Sequence, residues 1–380
     1  MENEEGQSHR KKRSKIEEIV KEAKSDRISA LPDCLLTEIV SRLPYPKDAV
    51  NTRKLSKRWK HVWNCIPNLK FKRRDVDYYE RTYVPPLPCF FSSVNMFLSQ
   101  RGQSTINKFE LSTSYEPQFE SQVNKWIRYA ISCNVKDLNL RFFDGGYFDL
   151  EPRFVFDQSF YVNSCITDLT LAGCLLDPFE GISWKNLRTL YIKHGIMDDD
   201  LMETILSGTP LLETLNLEYC YGYGRLDITS KSLKNLVISG YVFPEYLDSD
   251  SDDHVDFVEI NAPSILSLKI EEELGLSKIL LKDVSSLVKV GLDYETEKGD
   301  DGKKVPWHHD WEEEMLERLL LSLTHVNEVN IGYNCCNALY RLKAGGFKRL
   351  SNLKVPDVTL PLSSETDLED LADWAEMGDY

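Results

Sequence analysis

The sequence predicts an α/β chain in which a short helical module precedes an irregular array of short strands alternating with helices or loops. Three observations carry that reading. A compact, basic, apolar-studded segment runs from Asp26 to Ile66. A triplet of apolar residues spaced L-x-x-L-x-L then returns through most of the chain. The intervals between triplets are irregular, about twenty to forty residues, which leaves room for a helix or loop each time.

The helical module comes first. Asp33 is a good N-cap residue, and Leu35, Leu36, Ile39, Val40 and Leu43 follow it at helical spacing until Pro44 ends the run. A second apolar stripe of Leu55, Trp59, Val62 and Trp63 recurs at i, i+4, i+7 and i+8, with Lys54, Lys57, Arg58 and Lys60 on the opposite side. A segment of about forty residues is too small to bury a self-sufficient core, so these helices are expected to pack on a partner as well as on each other.

The array comes next. Its ten triplets are Ile106/Phe109/Leu111, Val135/Leu138/Leu140, Ile166/Leu169/Leu171, Leu187/Leu190/Ile192, Leu212/Leu215/Leu217, Leu233/Leu236/Ile238, Ile265/Leu268/Ile270, Leu287/Val290/Leu292, Val326/Val329/Ile331 and Leu350/Leu353/Val355. Alternation within a triplet suits a short strand, as in leucine-rich repeats. In that pattern an Asn or Cys stands three residues after the last strand position. Cys174, Cys220 and Asn334 occupy it, so both cysteines are expected to be structural rather than reactive. Residues 89–102 read as a helix, and residues 119–140 as a helix followed by a strand, with Trp126 and Ile127 facing the core.

The run LPDCLLTEIVSRLP followed by LSKRWKHVW resembles the F-box, the three-helix motif that docks onto the Skp adaptor of SCF-type cullin ubiquitin ligases. By that resemblance Leu31 and Pro32 match its opening dipeptide, Leu35, Leu36, Ile39 and Leu43 its first adaptor-facing helix, and Leu55, Trp59 and Trp63 its closing one. Where similar sequences carry an apolar residue before the LS pair, this chain has Lys54. A lysine in an apolar seam must snorkel out or lose its charge, which would weaken docking.

The whole layout resembles the large plant family of F-box/leucine-rich-repeat proteins, which implies a right-handed β-α superhelical solenoid after the F-box. The expected organisation is a disordered tail over 1–25, the F-box over 26–70, a linker and first repeat helix over 71–104, the repeat array over 105–360 and an acidic tail over 361–380. That tail does not show the FBD module found in some family members.

Composition narrows the function. The chain has 380 residues, 42% hydrophobic, with no apolar run long enough to span a bilayer. Nine cysteines without scaffold spacing, and no secretory signal, imply a reducing compartment, hence nucleus or cytoplasm or both. Residues 9–15, HRKKRSK, read as a nuclear import signal or as the solvated end of a tail. The net charge of −15 concentrates its acid in the array and tail, which argues against nucleic acid as a partner. Basic residues of the F-box either steer an acidic adaptor surface or form a solvated face.

No phosphate-cradling glycine loop, H-E-x-x-H pair or G-x-S-x-G elbow is present, so catalysis is not expected. The neighbours His308, His309 and Asp310, and the pair Cys335 and Cys336, are poorly spaced to share one metal ion, because adjacent side chains diverge. No cofactor is expected. Ser249 and Ser251 lie in an acidic insertion, either as phosphorylation sites or merely solvated.

The resulting expectation is a recruiting subunit. The F-box binds the Skp adaptor, and through it the cullin and RING subunits, while the array presents an unknown target protein. Asn139, Arg141, Tyr191, Lys193, Asn216, Glu218, Asp293 and Asn330 flank buried strand positions and are the candidate target-reading residues. Tyr219, Tyr294 and Tyr333 either line one rim with aromatic area or pack between repeats. Two rival readings are a scaffold without ligase engagement and a receptor that needs a small ligand to hold its target.

Overall fold

The computed structural model describes residues 28, 30–43, 46–73, 86–143, 153–241, 257–296, 308–347 and 353–354. Residues 9–15, Pro44, Ser249, Ser251, Leu350, Val355 and the acidic tail lie outside them, as do the side chains of His308, His309 and Asp310. The chain forms two compact units, one running to Tyr223 and the other from Gly224 onward.

In the first unit α1 (Asp33–Ser41), α2 (Pro46–Asn51) and α3 (Trp59–Val62) make a three-helix module. The latter two helices are prolonged by single 3-10 turns, Thr52–Lys54 and Trp63–Cys65. Leu36, Val40, Ala49, Trp59, Val62 and Trp63 close its core. Asp33 is not the N-cap: Pro32 holds that position without a side-chain cap bond, and Asp33 opens the helix proper. Its carboxylate receives Arg58 Nε at 2.9 Å and Nη2 at 2.7 Å, so a bond across the module takes the group that local capping would have used.

The ladder begins earlier than the triplet count placed it. β1 (Asn68–Lys72) lies where the F-box was expected to give way to a linker, and pairs in parallel with β2 (Lys108–Ser114). Its apolar residues Ile66, Leu69 and Phe71 repeat the L-x-x-L-x-L spacing and are all buried. Between these strands α4 (Leu87–Arg101) turns Phe91, Val94, Phe97 and Leu98 inward. The strand α5 (Glu120–Ser132) precedes is β3 (Asp137–Phe143); β4 (Asp168–Ala172) and β5 (Thr189–Lys193) follow, then α6 (Asp199–Gly208) and β6 (Thr214–Glu218). The six strands pair in parallel in chain order. Trp126 and Ile127 of α5 are buried as expected, and Asp198 caps α6 by accepting Leu201 N–H at 2.7 Å.

Among the described residues no α-helix backs the stretch from β3 to β5; an aromatic stack fills that layer instead. Phe154, Phe156, Phe160, Tyr161 and Trp184 are all buried, with the rings of Phe156 and Phe160 stacked at 4.1 Å and Trp184 Nε1 donating to Phe160 O at 3.0 Å.

The second unit has two parallel ladders. One is formed by β8 (Asn235–Tyr241), β10 (Ser267–Leu274), β12 (Lys289–Thr296), β13 (Glu328–Ile331) and β14 (Leu353–Lys354); the other by β7 (Arg225–Asp227), β9 (Phe257–Asn261) and β11 (Lys278–Leu281). Of the connections between the main strands, residues 225–227, 257–261 and 278–281 thus return as strands. Leu226, Val258, Ile260 and Ile279 fill that side, and the period-2 alternation of Val258 and Ile260 suits a strand. Helices α7 (His308–Ser322) and α8 (Cys336–Ala344) take over toward the end.

Every residue of the nine fully described triplets is at most 3% exposed. At roughly 1.5–3 kcal/mol for each large apolar side chain removed from water, these columns are the main favourable term of each unit.

A backbone feature recurs with them. Gly173, His194 and Tyr219 in the first unit, and Gly240 and Glu272 in the second, take positive φ between 50 and 74°. In the first unit this left-handed step directly follows the strand end, whereas Gly240 and Glu272 lie within β8 and β10, whose mutual register shifts between Ser239 and Tyr241. At Gly173 a Cβ would stand 2.1 Å from Phe142 O, so this position requires glycine for space as well as for φ.

Candidate functional site

Two surfaces in the first unit carry residues singled out from the sequence. On α1 the apolar residues form two stripes. Leu36 and Val40 point into the module's core, whereas Leu35, Ile39 and Leu43, spaced at i, i+4 and i+8, are exposed, Leu35 at 48% and Ile39 at 42%. One helix face cannot hold all five, because successive residues lie about 100° apart. The nine residues assigned to the adaptor face therefore divide. Pro32, Leu35, Ile39, Leu43 and Leu55 are exposed, Leu31 is half-buried, and Leu36, Trp59 and Trp63 are core.

The second stripe is likewise broken. α3 starts at Trp59, so Leu55 lies before it, 63% exposed, beside an exposed Lys54 at the end of its 3-10 turn. The stretch between Leu55 and Trp59 forms a turn, and the i, i+4 spacing does not mark one helix.

The module is joined to the first repeat by a ring chain and a buried cation. Trp63 meets Phe97 at 5.2 Å, Phe97 meets Phe71 at 5.4 Å and Phe71 meets Phe109 at 5.7 Å. Arg101, 2% exposed at the end of α4, donates to Ile66 O at 2.9 Å, Ser104 O at 2.7 Å, Thr105 O at 3.0 Å and Tyr129 OH at 3.2 Å. Sequence reasoning missed this residue, since an arginine before Gly102 reads as an ordinary helix end.

The second surface is the outward face of the ladder. Strand register sets Lys70, Glu110, Asn139, Thr170, Tyr191 and Asn216 in one row and Lys72, Ser112, Arg141, Ala172, Lys193 and Glu218 in the next. Six of the eight candidate target-reading residues thus share two adjacent rows. Glu218 accepts from Tyr191 OH and from Lys193 Nζ, Lys193 lies 5.4 Å over the Tyr219 ring, and Tyr219 stacks on His194 at 5.4 Å. Arg153 donates to His194 O. Burial first, then Lys193 and Arg153, push the His194 imidazole down to about 4.

The other two candidates belong to the second unit and have local duties. Asp293 Oδ1 accepts Asn334 N–H at 2.9 Å, and a Cβ on Gly332 would stand 2.0 Å from Asp293 Cγ, so Asp293 closes the turn after β13. Asn330 Nδ2 donates to Glu328 at 2.9 Å. With Lys354 and Lys289 it holds that carboxyl down to about 2.

The three rim tyrosines part ways: Tyr294 is fully buried, Tyr219 packs on His194 and Tyr333 is 63% exposed. Cys174 and Cys220 are buried with Sγ against backbone carbonyls. Burial raises both thiols, Cys220 to about 12, which opposes thiolate chemistry. Among the described residues no group of three or more His, Cys, Asp or Glu side chains is arranged to hold a metal, and no helix is long and apolar enough to cross a membrane.

A three-helix module with an exposed leucine stripe, fused to parallel leucine-lined strands, is the architecture of an F-box protein with a leucine-rich-repeat domain. Family comparison agrees. The F-box domain model matches residues 28–71, and the At1g61320/AtMIF1 LRR domain model matches residues 98–298. Three Arabidopsis thaliana proteins are similar. Putative F-box/LRR-repeat protein At5g02930 is 30% identical over 89% of this chain and 64% of its own length. F-box protein At5g03100 is 33% identical over 67% of the chain and 78% of its own length, and F-box/LRR-repeat protein 25 is 35% identical over 55% and 74%. The chain belongs to the plant F-box/LRR-repeat protein family.

Proposed function

We propose that the chain is the substrate-recognition subunit of an SCF-type cullin-RING ubiquitin ligase, non-catalytic in itself. Its F-box docks on a Skp adaptor, through which cullin and RING subunits join, and its repeat ladder holds a target protein. Action in the nucleus, the cytoplasm or both is part of the same proposal. One observation carries it: Leu35 and Ile39 on α1, and Leu43 just past its end, lie exposed while the helix's other stripe already closes the module's core. A module of this size gains nothing by leaving three leucine-class side chains in water unless a partner covers them.

The test is binding of the full chain to a purified Skp adaptor, measured by calorimetry. Wild-type protein binds, and Leu35→Asp/Ile39→Asp loses binding while keeping its circular dichroism spectrum. Absence of wild-type binding, or indifference to the double substitution, sinks the proposal. Lys54 motivates the scaffold reading. It is exposed, so it burdens only the docked state. Lys54→Val restoring binding to a wild type that lacks it would establish a scaffold.

A further inference from the structure

The outward face of the first unit's ladder pairs most of its cations with carboxylates and leaves two without one among the described residues. Lys70 pairs with Glu110 at 3.4 Å, Lys108 with Asp137 at 2.7 Å, and Lys193 with Glu218. Lys72 and Arg141 share one row with Ser112 between them, and neither has a carboxylate within 4.0 Å among the described residues. Arg141 instead donates from Nε to Asn139 Oδ1 at 3.0 Å. That bond fixes the plane of the guanidinium and leaves its two terminal nitrogens without a hydrogen bond among the described residues. Ala172, its neighbour on the next strand, brings no polar group. The result is an oriented fork, half-buried and ready to grip two oxygens.

From this geometry we infer that Arg141 and Lys72 anchor an acidic segment of a protein partner, each cation taking one carboxylate. The inference rests on the target-binding reading of the ladder and names the chemistry of that target. Two strand spacings set the cations roughly 10 Å apart, the span of three residues in an extended chain. A phosphate, with its higher charge, calls for several cations converging on one point, whereas two cations this far apart suit two separate monoanions. The chain's net charge of −15 repels any acidic probe at long range, so saturable binding of one requires a local site.

The experiment is fluorescence anisotropy of labelled hexaglutamate titrated with the full chain at low ionic strength, beside a hexaglutamine peptide and a phosphoserine peptide of equal charge. Hexaglutamate binds saturably and hexaglutamine does not. Arg141→Gln weakens binding about tenfold or more, which corresponds to about 1.4 kcal/mol, and Lys72→Gln weakens it less. Lys289→Gln, which removes the same charge from the second unit, leaves it unchanged. Three results would overturn the inference: no saturable binding, equal loss in Lys289→Gln, or preference for the phosphoserine peptide. Adaptor binding by the same Arg141→Gln protein is measured in parallel. Its failure in wild type speaks against the ligase proposal alone, because the peptide assay contains no adaptor.

Discussion

Arg101 Nη2 donates to Ile66 O at 2.9 Å, which ties the end of the first repeat helix to the residue where the helical module passes into the ladder. The guanidinium is buried among three backbone carbonyls and a phenol hydroxyl. Of these bonds the one to Ile66 O is buried, so the arginine satisfies an acceptor there that water does not reach. The same bonds make module and first repeats a single packed body, so an adaptor on α1 would set the direction in which the ladder faces.

Arg101→Met is therefore expected to destabilise the first unit by about 3 kcal/mol, since an orphaned buried acceptor costs roughly 1–3 kcal/mol. Urea denaturation reads the loss. Hydrogen exchange should localise it to β1 and residues 102–106; protection unchanged there would show that the ring chain from Trp63 to Phe109 holds the joint alone.

The division of the predicted adaptor face gives a second expectation. Trp59→Ala should cost about 3–5 kcal/mol, as for a large aromatic removed from a core. Leu55→Ala should stay within about 0.5 kcal/mol, because Leu55 lies in solvent. Adaptor affinity moves the other way, with Leu55→Ala weakening docking of a folded protein. Comparable stability losses for both would mean that Leu55 is covered by the chain itself.

How far these roles were legible varies with the range of the interaction. The triplets were readable because Leu138 and Leu140, or Leu215 and Leu217, alternate at the strand period and face one core. The triplet Ile66, Leu69 and Phe71 obeys the same rule, but it abuts the tryptophan stripe of α3 and was absorbed into the module. Leu35 and Leu36 are indistinguishable by hydrophobicity; only the packing of Trp59 and Trp63 decides which turns inward. Arg58 reaching Asp33, and Arg101 reaching Ile66, are bonds across 25 and 35 residues, and no local period encodes them. The outward ladder rows were legible in the first unit, where register is regular. They were less so in the second, where Asp293 is claimed by the turn at Gly332 and Asn334.

His194 sets a pH dependence whose sign follows from its surroundings. Its imidazole is held at about 4 in the folded chain against an ordinary 6.5, first by burial and then by the charges of Lys193 and Arg153. Above 6.5 it is neutral in folded and unfolded chains alike, and its contribution to stability is fully present. Between 6.5 and about 4 the unfolded chain takes up a proton that the folded chain refuses, so stability falls as pH falls through that window. Below it the folded imidazole protonates too, and this group adds no further slope. His194→Asn removes the titration while keeping a residue that tolerates the positive φ of 54°. The difference in Tm between wild type and His194→Asn should therefore hold constant above 6.5 and shift against the wild type on acidification toward 4. Melting curves that stay parallel across that window would show that the imidazole is hydrated in solution and that the stack on Tyr219 does not exclude water from it.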